Sequence, residues 1–186
     1  MAARIKIREY LAGGDRRSIG RSDELAMLVE RRMGLLKQLV EHMWDSDPVV
    51  AMRAADAVEK ITRARQASLQ PFKQELLGLA DEASERELRW HLALMFPRLQ
   101  LSSAERWQIC GVLRNYLEDT SSLVKTFALQ ALFDISRPEL RLRAETEEIL
   151  KAAARTGTPA MRARARILLA QMAKDLRQKS GKEKGH

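Results

Sequence analysis

Residues 47–61 read DPVVAMRAADAVEKI. Aspartate before proline is a helix start: the carboxylate caps a free backbone N–H, and proline fills the first helical position, where no N–H is needed. Val50, Ala54, Val58 and Ile61 then recur at steps of four, four and three. That spacing keeps them on one face of an α-helix, whereas a strand would alternate every second residue. Three more stretches fit the same template: ERELRWHLALMFPRL (85–99), SSLVKTFALQALFDI (121–135) and TPAMRARARILLAQM (158–172). Their last core residues, Ile61, Leu99, Ile135 and Met172, lie 38, 36 and 37 positions apart.

The columns agree across the four copies. Three positions before the anchor stand Val58, Phe96, Leu132 and Leu169; seven before, Ala54, Leu92, Ala128 and Ala165; eleven before, Val50, Leu88, Val124 and Met161. Another apolar stripe precedes each copy: Leu35, Leu39, Val40 and Met43; Phe72, Leu76, Leu77 and Leu79 or Ala80; Ile109, Val112, Leu113 and Leu117; Leu142, Ile149 and Leu150. The unit is helix, turn, helix. One such pair cannot bury both apolar faces, but stacked pairs can. Further starts are expected from Thr158-Pro159 and from Ser22 with Asp23 and Glu24. Capping boxes are expected at Ser102/Glu105, Ser136/Glu139 and Ser84/Glu87. Gly13-Gly14-Asp15 marks a turn and lacks the ending of a phosphate loop. No convincing strand is present; IKI at 5–7 is too isolated to build a sheet.

With this period and the 47–61 motif on the page, the chain resembles the HEAT-repeat family over residues 32–174. In that family an aspartate caps the second helix and an arginine six residues later helps join neighbouring repeats. Asp47 and Arg53 match; Thr158 and Arg164 match with a substituted cap. Ser121 keeps a cap but Phe127 replaces the arginine, and Glu85 with His91 departs at both positions. The resemblance implies an all-α, right-handed α-solenoid of four helical pairs with an N-terminal helical cap. The expected domains are a basic N-terminal segment and capping helix (1–31), the array (32–174) and a basic flexible C-terminal tail (175–186).

The formal net charge is +8, but it is uneven. Residues 1–21 carry +4, residues 155–186 carry +7, and residues 22–154 carry −3. Basic ends on an acidic-leaning middle weaken the inference from net charge to nucleic acid. The position two before Arg53, read across the copies, gives Ala51, Arg89, Lys125 and Arg162, basic in three of four. By the resemblance, such a column lines the concave side or an inter-helix groove. In 158–172 the helical angles place Arg162 and Arg164 on opposite flanks of the buried stripe, with Arg166 further out on the side of Arg162. Of Trp44, Trp90 and Trp107, Trp90 lies off its helix's core stripe, so it either plugs a seam or anchors a partner. The candidate binding residues are therefore Arg53, Arg89, Trp90, Lys125, Arg162 and Arg166.

Reaction chemistry finds no foothold. His42, His91 and His186 form no ligand spacing, so no metal is expected, and no cofactor motif occurs. Cys110, the one cysteine, sits in a helical core pattern and reads as a small buried hydrophobe. Glu145, Glu147 and Glu148 read as a solvated face, and Asp56 with Lys60 as an i,i+4 pair. No signal peptide or membrane-length apolar run is read, so a cytoplasmic location is expected. The expectation for function is a non-enzymatic protein-binding scaffold. The alternative is nucleic-acid binding through the basic column or ends, including the alkylated-base DNA glycosylase activity that some HEAT-like proteins carry.

Overall fold

A computed structural model describes residues 5–14 and 18–183 of the chain, with side chains through residue 178. Among the described residues the protein is all-α: ten helices and no strand. They are α1 (Ile7–Leu11), α2 (Ser22–Arg31), α3 (Leu36–Glu41), α4 (Pro48–Ala64), α5 (Lys73–Glu82), α6 (Arg86–Met95), α7 (Ser103–Tyr116), α8 (Ser122–Ser136), α9 (Leu140–Thr156) and α10 (Pro159–Glu183). Short 3-10 segments fill Met33–Leu35, His42–Trp44, Gln66–Phe72 and Phe96–Arg98. Two compact units divide the chain, Met1–Gln100 and Leu101–His186.

The starts follow local chemistry. Asp47 accepts the Val49 N–H ahead of Pro48, and Ser121 and Thr158 accept from Val124 and Met161. Ser102 and Glu105 form the complete reciprocal box. Two expected boxes are absent: Ser136 is the last residue of α8 with Pro138 in the turn beyond, and Glu85, not Ser84, occupies the cap position of α6. Ser22 is the first helical residue rather than the cap, and its hydroxyl bonds the buried Asp56 carboxylate. Pro97 lacks an N–H and crowds the preceding turn, so α6 stops at Met95, and the anchor Leu99 is buried from extended backbone. The helix α10 runs past 175 to Glu183, so the tail expected from there begins as helix.

In unit 2 the α7–α8 and α9–α10 hairpins stack through Leu129, Phe133, Leu150, Ala153, Met161, Ala165, Leu168 and Met172. Three polar ties join α8 to α10: Ser122 to Thr158 (2.6 Å), Arg164 to Gln130 (3.0 Å) and Arg137 to Asp175 (2.7 Å). The tied residues are 36, 34 and 38 positions apart, so the two helices run in the same direction, one repeat out of step. In unit 1, Ser22–Asp56 and Asp23–Lys60, 34 and 37 apart, place α2 beside α4 in the same way. Arg98 ties the end of the second pair to Glu59 and Thr62 of α4. The N-terminal segment thus packs as a shortened pair of its own, α1 with α2.

Helix α4 is enclosed on every side: all residues from Val50 to Glu59 are buried. Its Arg53 is 1% exposed. The Nε–H donates to the Ser18 carbonyl (3.0 Å), and Nη1 donates to the carbonyls of Leu11 (2.8 Å) and Gly13. Arg53 therefore faces inward and clamps the α1–α2 connection; it belongs to no accessible binding surface. Gly20, at φ +57, closes over the guanidinium, and a Cβ there would lie 2.8 Å from Arg53 Cζ. Glycine meets both needs at once, left-handed backbone and no side chain. Replacing Arg53 by Met leaves buried carbonyls without their donors; unfolding should become easier by about 2–4 kcal/mol. Chemical denaturation measures this, and limited proteolysis should cut first between residues 12 and 20.

Candidate functional site

The basic column separates once its partners are known. Arg89 Nε donates to the carbonyl of Ala83 (2.7 Å), and Arg162 Nη1 donates to the carbonyl of Gly157 (2.9 Å). Ala83 and Gly157 end α5 and α9, the first helices of their pairs. Each arginine thus folds back from its second helix onto the C-terminal end of the first. There it satisfies a carbonyl and lies against the negative end of the helix dipole. Arg164 reaches back one repeat to Gln130, the joining role expected of it, while Asp47 and Thr158 cap their helices. The Lys125 ammonium makes no hydrogen bond or ion pair among the described residues. Arg166 is exposed on α10.

Lys125 stands at the wall of a groove of about 360 Å³ in unit 2. The groove opens where the α7–α8 and α9–α10 turns lie side by side. Leu117, Leu129, Ile149, Ala153 and Met161 supply apolar lining, and Glu118, Thr156 and Thr158 supply polar groups. Gly157 also lines it, held by Arg162; a Cβ at this position would sit 2.5 Å from the Ala153 carbonyl oxygen, so the close turn requires glycine. The apolar side chains are those that close the core between the hairpins, carried one turn further to the surface. The lining is apolar with one charge of each sign, the Lys125 ammonium and the Glu118 carboxylate; the ammonium suits a segment that offers an apolar side chain and a carboxylate.

Trp90 is half-buried and stacks on His91, ring centroids 3.5 Å apart at 30°. His91 is 1% exposed, and its Nδ1 has no hydrogen-bond partner. Burial pushes the imidazole down to about 4, although Asp56 and Glu59 on α4 and Glu87 on α6 pull the other way; Lys60 also lowers it. Beside it, burial would raise the Glu59 carboxyl, but hydrogen bonds from Arg63 and Arg98 outweigh it and hold the group below its ordinary value. Residues this polar on a helix interior were not legible as a cluster, because Asp56, Glu59 and His91 each read as ordinary surface or packing positions. Cys110 is fully buried, and burial raises its thiol to about 11, as a core residue. No group of three or more metal-ligating residues converges, and no helix is long and apolar enough to cross a membrane, among the described residues. His186 lies outside the described residues.

Trp44 is the tryptophan that sequence reasoning passed over, at 40% exposure. Its signal was present in the spacing of Lys37, Val40, Glu41 and Trp44, a stripe adjoining the core stripe of Leu39 and Met43. The chain matches no protein-family model, and no curated protein or solved structure matches it. The protein is defined at the level the structure shows: an all-α protein of multiple helices, with no strand among the described residues.

Two measurements check this geometry. Arg162→Met removes a cap, and thermal melting should show a loss of about 0.5–1 kcal/mol. For His91, the unfolded chain takes up a proton below about 6.5 while the folded one resists until about 4. Folding stability should therefore fall as pH drops through that window, by about 3 kcal/mol at most. Urea melts at pH 7 and 5 should show the fall, and His91→Leu should flatten it. Asp45, held down to about 2 chiefly by its hydrogen bond from Arg8, adds its own loss only below about 4.

Proposed function

We propose that this protein is a non-enzymatic, HEAT-like helical-repeat scaffold that binds another protein. The observation that carries the reading is the unit 2 groove, where the partly exposed Leu117 and Ile149 adjoin the buried Leu129, Ala153 and Met161 beside the unpartnered Lys125 ammonium. Core-forming side chains that continue into a solvent-filled groove are where a partner's apolar residue gains most by burial. The HEAT likeness is supported by the caps at Asp47 and Thr158, by the Arg164–Gln130 bond and by polar ties spaced at one repeat. Arg53 reaches the α1–α2 connection of the preceding short pair.

A nucleic-acid role, glycosylase chemistry included, has weaker support. Two of the three column cations, Arg89 and Arg162, donate to carbonyls of their own pair. That leaves fewer of them for phosphates, and residues 22–154 net −3.

The purified chain, immobilised, should retain a protein that mass spectrometry identifies, and Lys125→Glu should reduce retention about tenfold while melting normally. Duplex DNA should be held weakly and lost as salt rises. DNA binding that persists at about 200 mM salt and is abolished by Lys125→Glu would overturn the scaffold reading. So would release of an alkylated base from DNA.

A further inference from the structure

A second groove lies within unit 1, on the other side of the chain's chemistry. It has a volume of about 300 Å³ and is lined by Lys37, Val40, Glu41 and Trp44 from α3 and the turn that follows it, and by Phe72 and Glu75 at the start of α5. The four α3-side residues are spaced three, one and three apart, so one helical face supplies one wall. The 3-10 turn His42–Trp44 carries that face on beyond α3 and presents the indole.

Three features define what the groove accepts. Its floor is apolar: Val40, the Phe72 ring and an indole left 40% exposed. A large aromatic surface in a concavity is the usual centre of a binding hot spot, because covering it removes much apolar area at little cost in side-chain freedom. Its rim is acidic: Glu41 and Glu75 are both exposed and form no ion pair among the described residues, against the single Lys37. Lastly, the face of an indole attracts cations, arginine above all, through the ring's quadrupole.

We propose that this groove docks a basic amphipathic segment of a partner protein, with an apolar side chain on Trp44 and Phe72 and an arginine or lysine paired with Glu41 and Glu75. The site rests on the reading of the protein as a binding scaffold. Its ligand is opposite in charge to the one expected at Lys125, so the two grooves select different segments. The groove lies within residues 22–154, which carry −3 against the basic ends of the chain, so the local charge and the acidic rim both favour a basic segment.

The test is fluorescence anisotropy with the full chain at about 150 mM salt. The probe is a labelled leucine–arginine amphipathic peptide of about 14 residues. Two controls replace its arginines with glutamate or its leucines with alanine. The leucine–arginine peptide should bind, and both controls should lose at least about tenfold. Trp44→Ala should weaken binding about tenfold, the scale of a hot-spot residue. Glu41→Gln with Glu75→Gln should weaken it several-fold, with a shallower salt dependence. Both carboxylates are exposed, so this double variant tests the site even if Trp44→Ala melts early. Lys125→Glu should leave peptide binding intact; that result, together with failure of Lys125-dependent capture, would remove the unit 2 groove from the scaffold reading and keep this one. Equal or tighter binding of the glutamate peptide, or affinity unchanged in both the Trp44 and the double variant, would overturn the proposal.

Discussion

A pair of amphipathic helices has more apolar surface than it can bury against itself. Everything in this structure follows from that shortage. In unit 2 the α9–α10 hairpin lies against α7–α8 with α8 and α10 parallel, and in unit 1 α2 lies alongside α4. The polar ties obey the same geometry. Ser122 meets Thr158, Gln130 meets Arg164 and Asp56 meets Ser22 because each pair of positions is separated by about one repeat. The bonds are modest in energy, but they fix the register that the apolar contacts alone would leave loose.

The cost of stacking is that an inner second helix has no side left for solvent. Helix α4 meets α2, α3 and α6 and also receives the N-terminal connection. Three of its charged residues are consequently buried, and each is held: Arg53 by carbonyls, Asp56 by Ser22 and Lys60, Glu59 by Arg63 and Arg98. A buried charge without such partners is strongly destabilising. His91, by contrast, is accommodated by remaining neutral, with burial holding its pKa down. The clearest energetic sensitivity of unit 1 is therefore polar, although its volume is filled by apolar side chains.

The two grooves lie where stacking stops short. In unit 2 the core stripe continues past the last covering turn, and in unit 1 the face of α3 outlasts the helix and ends on an indole. Neither contains a convergent set of reactive groups. Both have an apolar floor, but the rims differ in charge: Lys125 and Glu118, one of each sign, in unit 2, and Glu41 with Glu75 against a single Lys37 in unit 1. Such surfaces select partner segments by charge and hold them by apolar burial.

The sequence by itself determined the helices. Spacing of three and four, the Asp47-Pro48 and Thr158-Pro159 starts and the Ser102/Glu105 box are local signals, and local hydrogen bonding is enough to realise them. The core columns were legible for the same reason, since a repeated apolar position must face its neighbours. Only the tertiary structure decided what the charged and aromatic side chains do. Arg89, Lys125 and Arg162 share a column, yet two of them cap a neighbouring helix end and one stands beside a groove. Arg53 looked available and is enclosed, whereas Trp44 drew no assignment and is exposed. A periodic pattern states which face a residue occupies on its own helix. What lies opposite that face, a carbonyl, a carboxylate or water, depends on chain tens of residues away, and that distance carries no sequence period.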